Sequence, residues 1–473
     1  MNRASAAPQA AKARALFAQG IARHQAGDIE QARSLYRQIL GVMPSQPDAM
    51  HMLGVAEFQI RNFAEAARLI DGARKLRPDD ALIHFNLGNA LRALGKLDQA
   101  AIAFKEAVQL QPDHLEALKN LGNTLKEQNR MAEAIDCYDQ VLATRPNHAH
   151  TLYNKSIAQL TRGRLSEGWD LYDYRLQCDT SDGRHLGHDI PRQAGDWHGQ
   201  ALSKPLLVLP EQGLGDQIFY GAMLADLQAA RIESFACLDA RLLPLFRRSF
   251  PGIDFALPTE IAGLDPKLAL FGAQIHLGSL GRFFRRDAAA LSRVPSPFLE
   301  ADRSATDRLS KHLRQRGKLV CGLSWASKNA ETGRTKSLPL DALLPVLRVP
   351  GVEFIDLQYG DTSQERHALS AQTGIDVRRL DDIDNKNDID GLAALIMACD
   401  LVITVSNSTA HLAAALGKPV VVLLAHHTPL WYWHLDDMTT PWYPTATLLR
   451  QPAAGEWSPV VATAAHILAG LLD

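Results

Sequence analysis

Residues 403 to 423 read ITVSNSTAHLAAALGKPVVVL, and the chemistry-bearing part is the cluster Ser406, Asn407, Ser408 and Thr409. It stands between an apolar strand pattern and a helix pattern, with His411 just inside the helix. One such residue satisfies the capping need of a helix start. Four in succession leave donors to spare, and the positive end of the helix dipole favours an anion there. A second loop has the same logic. The stretch PLLVLPEQGLGDQIF runs from a strand over 205–209 through Glu211, Gly213, Gly215 and Asp216 into a helix. Gly213 and Gly215 let the backbone approach a ligand closely, as in a phosphate loop. The third glycine of G-x-G-x-x-G is missing, and so is G-K-[ST], which disfavours a dinucleotide oxidoreductase and a Walker-type NTPase.

The elements that must position these loops are short apolar runs alternating with helical stretches, the pattern of parallel sheets with crossover helices. KLVCGLSWASKN from 318, GVEFIDLQYGD, CDLVITVSNSTAHLAAALG and KPVVVLL supply the strands of a second doubly wound half. Ligands in such folds sit beyond the carboxyl ends of the strands. Two facing sheets would bring both loop sets to one cleft. We place a first Rossmann-like domain at 205–310 and a second at 311–473. Before them, residues 179–204 are polar, Gly-rich and aperiodic, as expected of a linker.

The first third has a fixed period. Gly20, Gly54, Gly88 and Gly122 recur every 34 residues, as do Ala32, Ala66, Ala100 and Ala134, and Pro44, Pro78, Pro112 and Pro146. Four residues after each alanine stands Tyr36, Ile70, Phe104 or Tyr138. This period resembles the tetratricopeptide repeat (TPR). Glycine marks the close approach of paired helices, alanine and the large residue fill the gap, and proline ends the second helix. We expect an array over 13–178, with four full repeats and a degenerate fifth that has Ser156 for Gly and Gly168 for Ala. Trp169, Tyr172 and Tyr174 in that fifth unit are expected at the joint to the next domain, and residues 1–12 as a loose tail. Stacked repeats present a concave surface suited to extended protein segments. Asn86, Asn89, Asn120 and Asn123 fall on its first helices, where an amide ladder could grip a peptide acceptor.

Composition narrows the function classes. Apolar content of 46% and charged content of 22% are those of a globular protein. A formal net charge of −2 argues against a nucleic-acid binder or a polybasic membrane surface. No run of about 18 apolar residues appears, so no membrane span is expected. The five cysteines, Cys137, Cys178, Cys237, Cys321 and Cys399, are scattered without C-x-x-C spacing. That spacing argues against metal or disulfide use and for a reducing cytoplasm.

Several motifs in order carry a family resemblance: Gly-Leu-Gly-Asp at 213–216, GLSWASKN at 322–329, Lys336-Ser337, LQYGD at 357–361, and SNSTAHLAAALGKP at 406–419. With WYWHLDDMTTPWYPTATLLRQ near the end, the chain resembles bacterial TPR-linked glycosyltransferases, relatives of the heptosyltransferases and more distantly of the O-GlcNAc transferases. The resemblance implies an N-terminal all-α TPR solenoid followed by an α/β GT-B fold of two Rossmann-like halves. The acceptor half comes first and the nucleotide-sugar half second. It implies no cofactor beyond the nucleotide-sugar co-substrate, and no bound metal. Lys336 then neutralises the departing phosphate. Donors at Ser406, Asn407, Ser408, Thr409 and Ala410 support it, with His411 reaching the phosphate or ribose. Ser324, Trp325 and Gln358 complete the expected donor site. Asp216 is the implied base for the acceptor hydroxyl, with Glu211 in reserve. HLGSLGRFFRR at 276–286 resembles the acceptor-half segment, so His276 and Arg282 are expected at the sugar or acceptor. Many relatives carry Asp where Ser406 or Asn407 stands, which points to divergence in donor choice.

These features favour transfer of a sugar to a protein Ser/Thr hydroxyl, with flagellin as the kind of acceptor that fits. Two alternatives stay open: a glycan or lipid-linked acceptor, and a TPR scaffold with an inactive GT-B domain. The aromatics of 425–435 serve either base stacking or core packing.

Overall fold

The computed structural model describes residues 3–178, 190–211, 213–291, 293, 296–314, 317–328, 333–427, 430–433 and 438–472. The chain divides into two compact units between Ala158 and Gln159. That boundary falls inside the first helix of the degenerate fifth repeat.

The first unit is a run of antiparallel helix pairs. These are α1 (Arg3–Gln25) with α2 (Ile29–Val42), α3 (Pro47–Gln59) with α4 (Phe63–Leu76), α5 (Ala81–Ala93) with α6 (Leu97–Leu110), and α7 (Leu115–Glu127) with α8 (Met131–Thr144); α9 (Ala149–Thr161) follows. Each repeat glycine faces the large residue of its own hairpin. A Cβ at Gly54 would lie 2.4 Å from Ile70, and one at Gly88 would lie 2.7 Å from Phe104. The matching alanines are fully buried, as are Tyr36, Phe104 and Tyr138. The second helices stop at Val42, Leu76, Leu110 and Thr144, two residues before each proline. The residue in between turns extended because the proline ring excludes helical backbone before it. Asp28 and Asp80 cap their helices by accepting from Gln31 N and from Leu82 and Ile83 N. Adjacent repeats are also tied by charge: the buried Glu57 carboxylate accepts from Arg33 at 3.0 and 3.1 Å, from Arg37 at 2.7 Å and from Asn62 at 2.9 Å. One expectation changes. Residues 3–12 are helical, not a loose tail, because an Ala-rich stretch has the highest intrinsic helix propensity.

The second unit holds two parallel sheets. In the first, β1 (Leu206–Leu209), β2 (Ser234–Cys237), β3 (Asp254–Ala256) and β4 (Ala273–His276) are ordered β3-β2-β1-β4. The second has β5 (Leu319–Ser324), β6 (Val352–Asp356), β7 (Val377–Arg378), β8 (Leu401–Val405), β9 (Val420–Leu424) and β10 (Ala446–Arg450). Its order is β10-β9-β8-β5-β6-β7. Strands β6, β8 and β9 are buried along their whole length, and β9 accordingly reads as a continuous apolar run, whereas β6 buries Glu353 and Asp356. In both sheets the chain first builds outward on one side and then returns to the other side of its first strand. The order therefore reverses between β1 and β4 and between β5 and β8, and the carboxyl ends of those strands open toward a ligand crevice. All-helical repeats followed by two parallel α/β sheets form a GT-B-like arrangement.

Two further segments pack on this unit. The second helix of the fifth repeat, α10 (Leu165–Tyr172), buries Trp169, whose Nε1 donates to the Arg285 carbonyl at 2.9 Å. The same ring meets Trp431 edge-on at 5.3 Å, so one side chain touches residues of both halves. Of the expected linker, residues 179–189 lie outside the described residues. The rest runs along β4: Gln193 N and Ala194 N donate to the Gln274 side chain, and Trp197 packs on Phe283 at 4.5 Å. Among the described residues, no helix is long and apolar enough to cross a membrane.

Candidate active site

Each switch point feeds one loop and one helix start, and the two helix starts lie against each other. From β1 the chain passes Glu211 and Gly213 into α11 (Leu214–Gly221). From β8 it passes Ser406 and Asn407 into the helix Ser408–Ala415. Glycine eases the contact, since a Cβ at Gly215 would lie 3.1 Å from His411 Cδ2 and 3.6 Å from Ser408 Cα. Two positive helix ends thus meet in one place, which suits a doubly charged anion.

The polar cluster divides its work. Asn407 is the cap: its Oδ1 accepts from Thr409 N at 2.9 Å and Ala410 N at 3.3 Å. Its Nδ2 donates to Ser324 Oγ at 2.8 Å and the Ala326 carbonyl at 3.1 Å. Ser406 Oγ accepts from Trp433 Nε1 at 2.8 Å. Gln358 Oε1 accepts from Ser324 Oγ at 3.0 Å, Trp325 N at 3.0 Å and Ala326 N at 2.8 Å. The side chains of Ser324, Gln358 and Asn407 therefore fasten together the loops after β5, β6 and β8. Trp325 is buried, and its Nε1 donates to Glu365 at 2.7 Å. These four residues brace the helix start from behind.

The chemical groups stand in front. Asp216, in the first turn of α11, has its carboxyl raised to about 6 by burial, reinforced by Glu211 and opposed by Lys336 and Arg175. Lys336 ends a short helix, Gly333–Lys336, that is tied to the β5 loop through Ser337, whose Oγ accepts from Ser327 N at 2.8 Å. Burial lowers the Lys336 ammonium, and Asp216 acts in the opposite direction. His411 is held neutral: burial, with the Lys336 charge beside it, pushes its imidazole down to about 3. Its Nδ1 lies 3.0 Å from the Tyr443 hydroxyl, and its ring stacks on Trp433 at 5.1 Å. A carboxyl, a cation and a neutral imidazole thus gather at two helix starts.

Other expected site residues fall elsewhere. Glu211 is not a reserve base. Its buried carboxylate accepts from Arg175 at 2.8 Å and Gly278 N at 2.7 Å, because an anion at that depth needs a paired cation. His276 ends β4 and lines a separate cavity of about 690 Å³ with Asp173, Arg192, Trp197 and Arg282. Asn86, Asn89 and Asn120 share the first-helix row of the first unit and knit the repeats: Asn86 Nδ2 meets His51 Nε2 at 2.8 Å, and Asn120 donates to Asn89 at 2.9 Å. Asn123 accepts from the Tyr138 hydroxyl at 2.9 Å. Of the 425–435 aromatics, Trp431 and Tyr432 are buried against Phe219 and Trp433 against His411, while residues 428–429 and 434–435 lie outside the described residues. The site residue that motif reading missed is Tyr443. Its only signal was the density of aromatics, five between Trp431 and Tyr443.

Residues 379–455, which include the β8 loop, His411 and Tyr443, match glycosyltransferase family 9 (heptosyltransferase). Residues 14–42, 51–114 and 91–160 match the tetratricopeptide repeat. The chain thus joins segments similar to the tetratricopeptide repeat to a segment similar to glycosyltransferase family 9. Protein FlbA of Caulobacter vibrioides is 33% identical over 287 residues, covering 58% of this chain and 48% of that protein. The chain thus spans about half the length of this curated relative. Solved structures similar to the chain include MamA, with 20% identity, 33% of this chain and 92% of that chain covered, and a TM-score of 0.32. YrrB, described as a TPR protein with an unusual peptide-binding site, has 19% identity, 34% and 84% coverage, and a TM-score of 0.33.

Proposed function

We propose that the chain is a glycosyltransferase that moves a sugar from a nucleotide-sugar to a Ser or Thr hydroxyl of a protein acceptor recruited by the repeats, with flagellin as a fitting acceptor. The observation that carries this reading is the meeting of Asp216, Lys336 and His411 at two abutting helix starts. In the reaction, the acceptor oxygen attacks the anomeric carbon and its proton passes to the Asp216 carboxylate. The bond from the anomeric carbon to the phosphate oxygen breaks, and the nucleoside phosphate leaves with that electron pair. Lys336, the two helix ends and the N–H groups at 213–216 meet the charge on the leaving group, so no bound metal is needed in this scheme. Asp216 suits the base role because a carboxyl near 6 is ionised at neutral pH yet still basic enough to take a proton. The repeats supply the protein partner, since stacked helical hairpins offer an extended peptide-binding surface. A cytoplasmic site of action agrees with five scattered cysteines that show no C-x-x-C spacing.

Lys336→Ala tests the leaving-group role. Transfer from UDP-, GDP-, CMP- and ADP-sugars to candidate acceptors is followed by intact-protein mass. The variant should lose transfer by about 100-fold or more, the scale of removing one transition-state charge contact, while acceptor binding is unchanged. Transfer within a few-fold of the parent would remove Lys336 from the phosphate.

A further inference from the structure

The hydroxyl of Tyr443 reaches the site through His411, in the first turn of the helix Ser408–Ala415. Tyr443 is 2% exposed, and its oxygen sits 3.0 Å from His411 Nδ1. Among the described residues no other hydrogen bond reaches that oxygen. A buried phenol carries one proton, and if it only accepted from a protonated Nδ1 that proton would have no acceptor. Donation to the Nδ1 lone pair satisfies it. The imidazole is confined on its remaining sides, by Trp433 stacked at 5.1 Å, Tyr432 edge-on at 5.1 Å and Phe219 at 5.9 Å. The opposite ring edge faces the other half of the unit, where a Cβ at Gly215 would lie 3.1 Å from Cδ2 and 3.8 Å from Nε2.

We propose that Tyr443 is a positioning residue that donates to His411 Nδ1, fixing the tautomer whose proton sits on Nε2 and points to the first turn of α11. The consequence rests on the transferase reading. With its ring neutral and Nε2–H fixed, His411 is a third kind of donor to the departing phosphate, beside the Lys336 ammonium and the backbone N–H groups. Buried aromatics hold the ring still, so little reorganisation is needed when charge develops. Burial of both rings, and the Asp216 charge acting on the phenol, keep Tyr443 protonated and His411 uncharged over the working pH range.

The test uses the full-length protein with ¹⁵N-labelled histidine. Long-range proton–nitrogen spectra report the tautomer of each ring, and His411→Gln identifies the signal. The expected pattern is Nε2–H in the parent, replaced by a mixture or by Nδ1–H in Tyr443→Phe. Calorimetry with UDP, GDP, CDP and ADP then measures the consequence. Tyr443→Phe should weaken the tightest of them by about three- to tenfold, the size of one hydrogen bond. In the His411→Gln background the same change should move affinity by less than about twofold, because the coupling partner is gone. An Nδ1–H tautomer in the parent overturns the proposal, and so does an equal loss in both backgrounds. If the parent binds none of the four diphosphates, the transferase reading fails, and the parent's tautomer spectrum alone decides the role of Tyr443.

Discussion

Asp216→Asn is expected to remove transfer almost completely and at the same time to stabilise the protein above pH 6. The loss should be about 10²- to 10⁴-fold in kcat, the usual contribution of a positioned base. The stability change follows from the same burial. The folded carboxyl is raised to about 6, while an unfolded aspartate titrates near 3.9. Between those values the folded state binds more protons than the unfolded one, so stability falls as pH rises. Above pH 6 the full cost is present, about 3 kcal/mol for a shift of this size. Asparagine carries no charge and escapes that cost. Denaturant midpoints of parent and variant should therefore coincide near pH 4 and separate by pH 8, with the variant more stable. In the parent, kcat/KM should climb through an acidic limb near pH 6. Retained activity in the variant would end the base assignment. A stability gap independent of pH would mean that burial of a charged carboxylate is not its cause.

Glu211→Ala should behave in the opposite way, with a large loss of stability. Removing this carboxylate leaves the Arg175 guanidinium, 5% exposed, without the anion 2.8 Å away. Asp173 still pairs with the guanidinium at 2.7 Å, so the loss should fall short of about 3–5 kcal/mol, the cost of a fully unpaired buried charge. The Gly278 N–H loses its acceptor as well. The double change Glu211→Leu with Arg175→Met should recover most of the loss, because replacing a buried pair with apolar groups of similar size is close to neutral. Glu211→Gln separates structure from chemistry. It keeps an acceptor for Gly278, should retain far more activity than Asp216→Asn, and should shift the acidic limb to lower pH. The last effect arises because Glu211 helps to raise the Asp216 carboxyl. A glutamine variant as inactive as Asp216→Asn, yet fully stable, would restore Glu211 as a base.

The repeats were legible because their physics is local. A glycine, an alanine and a large residue at fixed offsets define one hairpin, and Gly88 facing Phe104 at 2.7 Å is what the 34-residue spacing requires. The two sheets were legible for a related reason, since a strand buried on both faces is mostly apolar, as Val420–Leu424 is. What failed was the division of labour among polar residues. Gln358, Ser324 and Asn407 have the residue types of ligand contacts, but their hydrogen-bonding groups are satisfied by one another across three loops. Only distances between β5, β6 and β8 reveal that.

The sequence by itself determined the elements, their order and the identity of the two loops, because period, apolar run length and glycine placement act within a few residues. Tertiary structure decided which groups can react. It paired Glu211 with Arg175, which lies 36 residues earlier, and left Asp216 in the field of Lys336, 120 positions later in the chain. It also set Tyr443 behind His411, across 32 residues. Proton affinity depends on burial and on charges a few ångströms away, and those distances exist only once both sheets have folded.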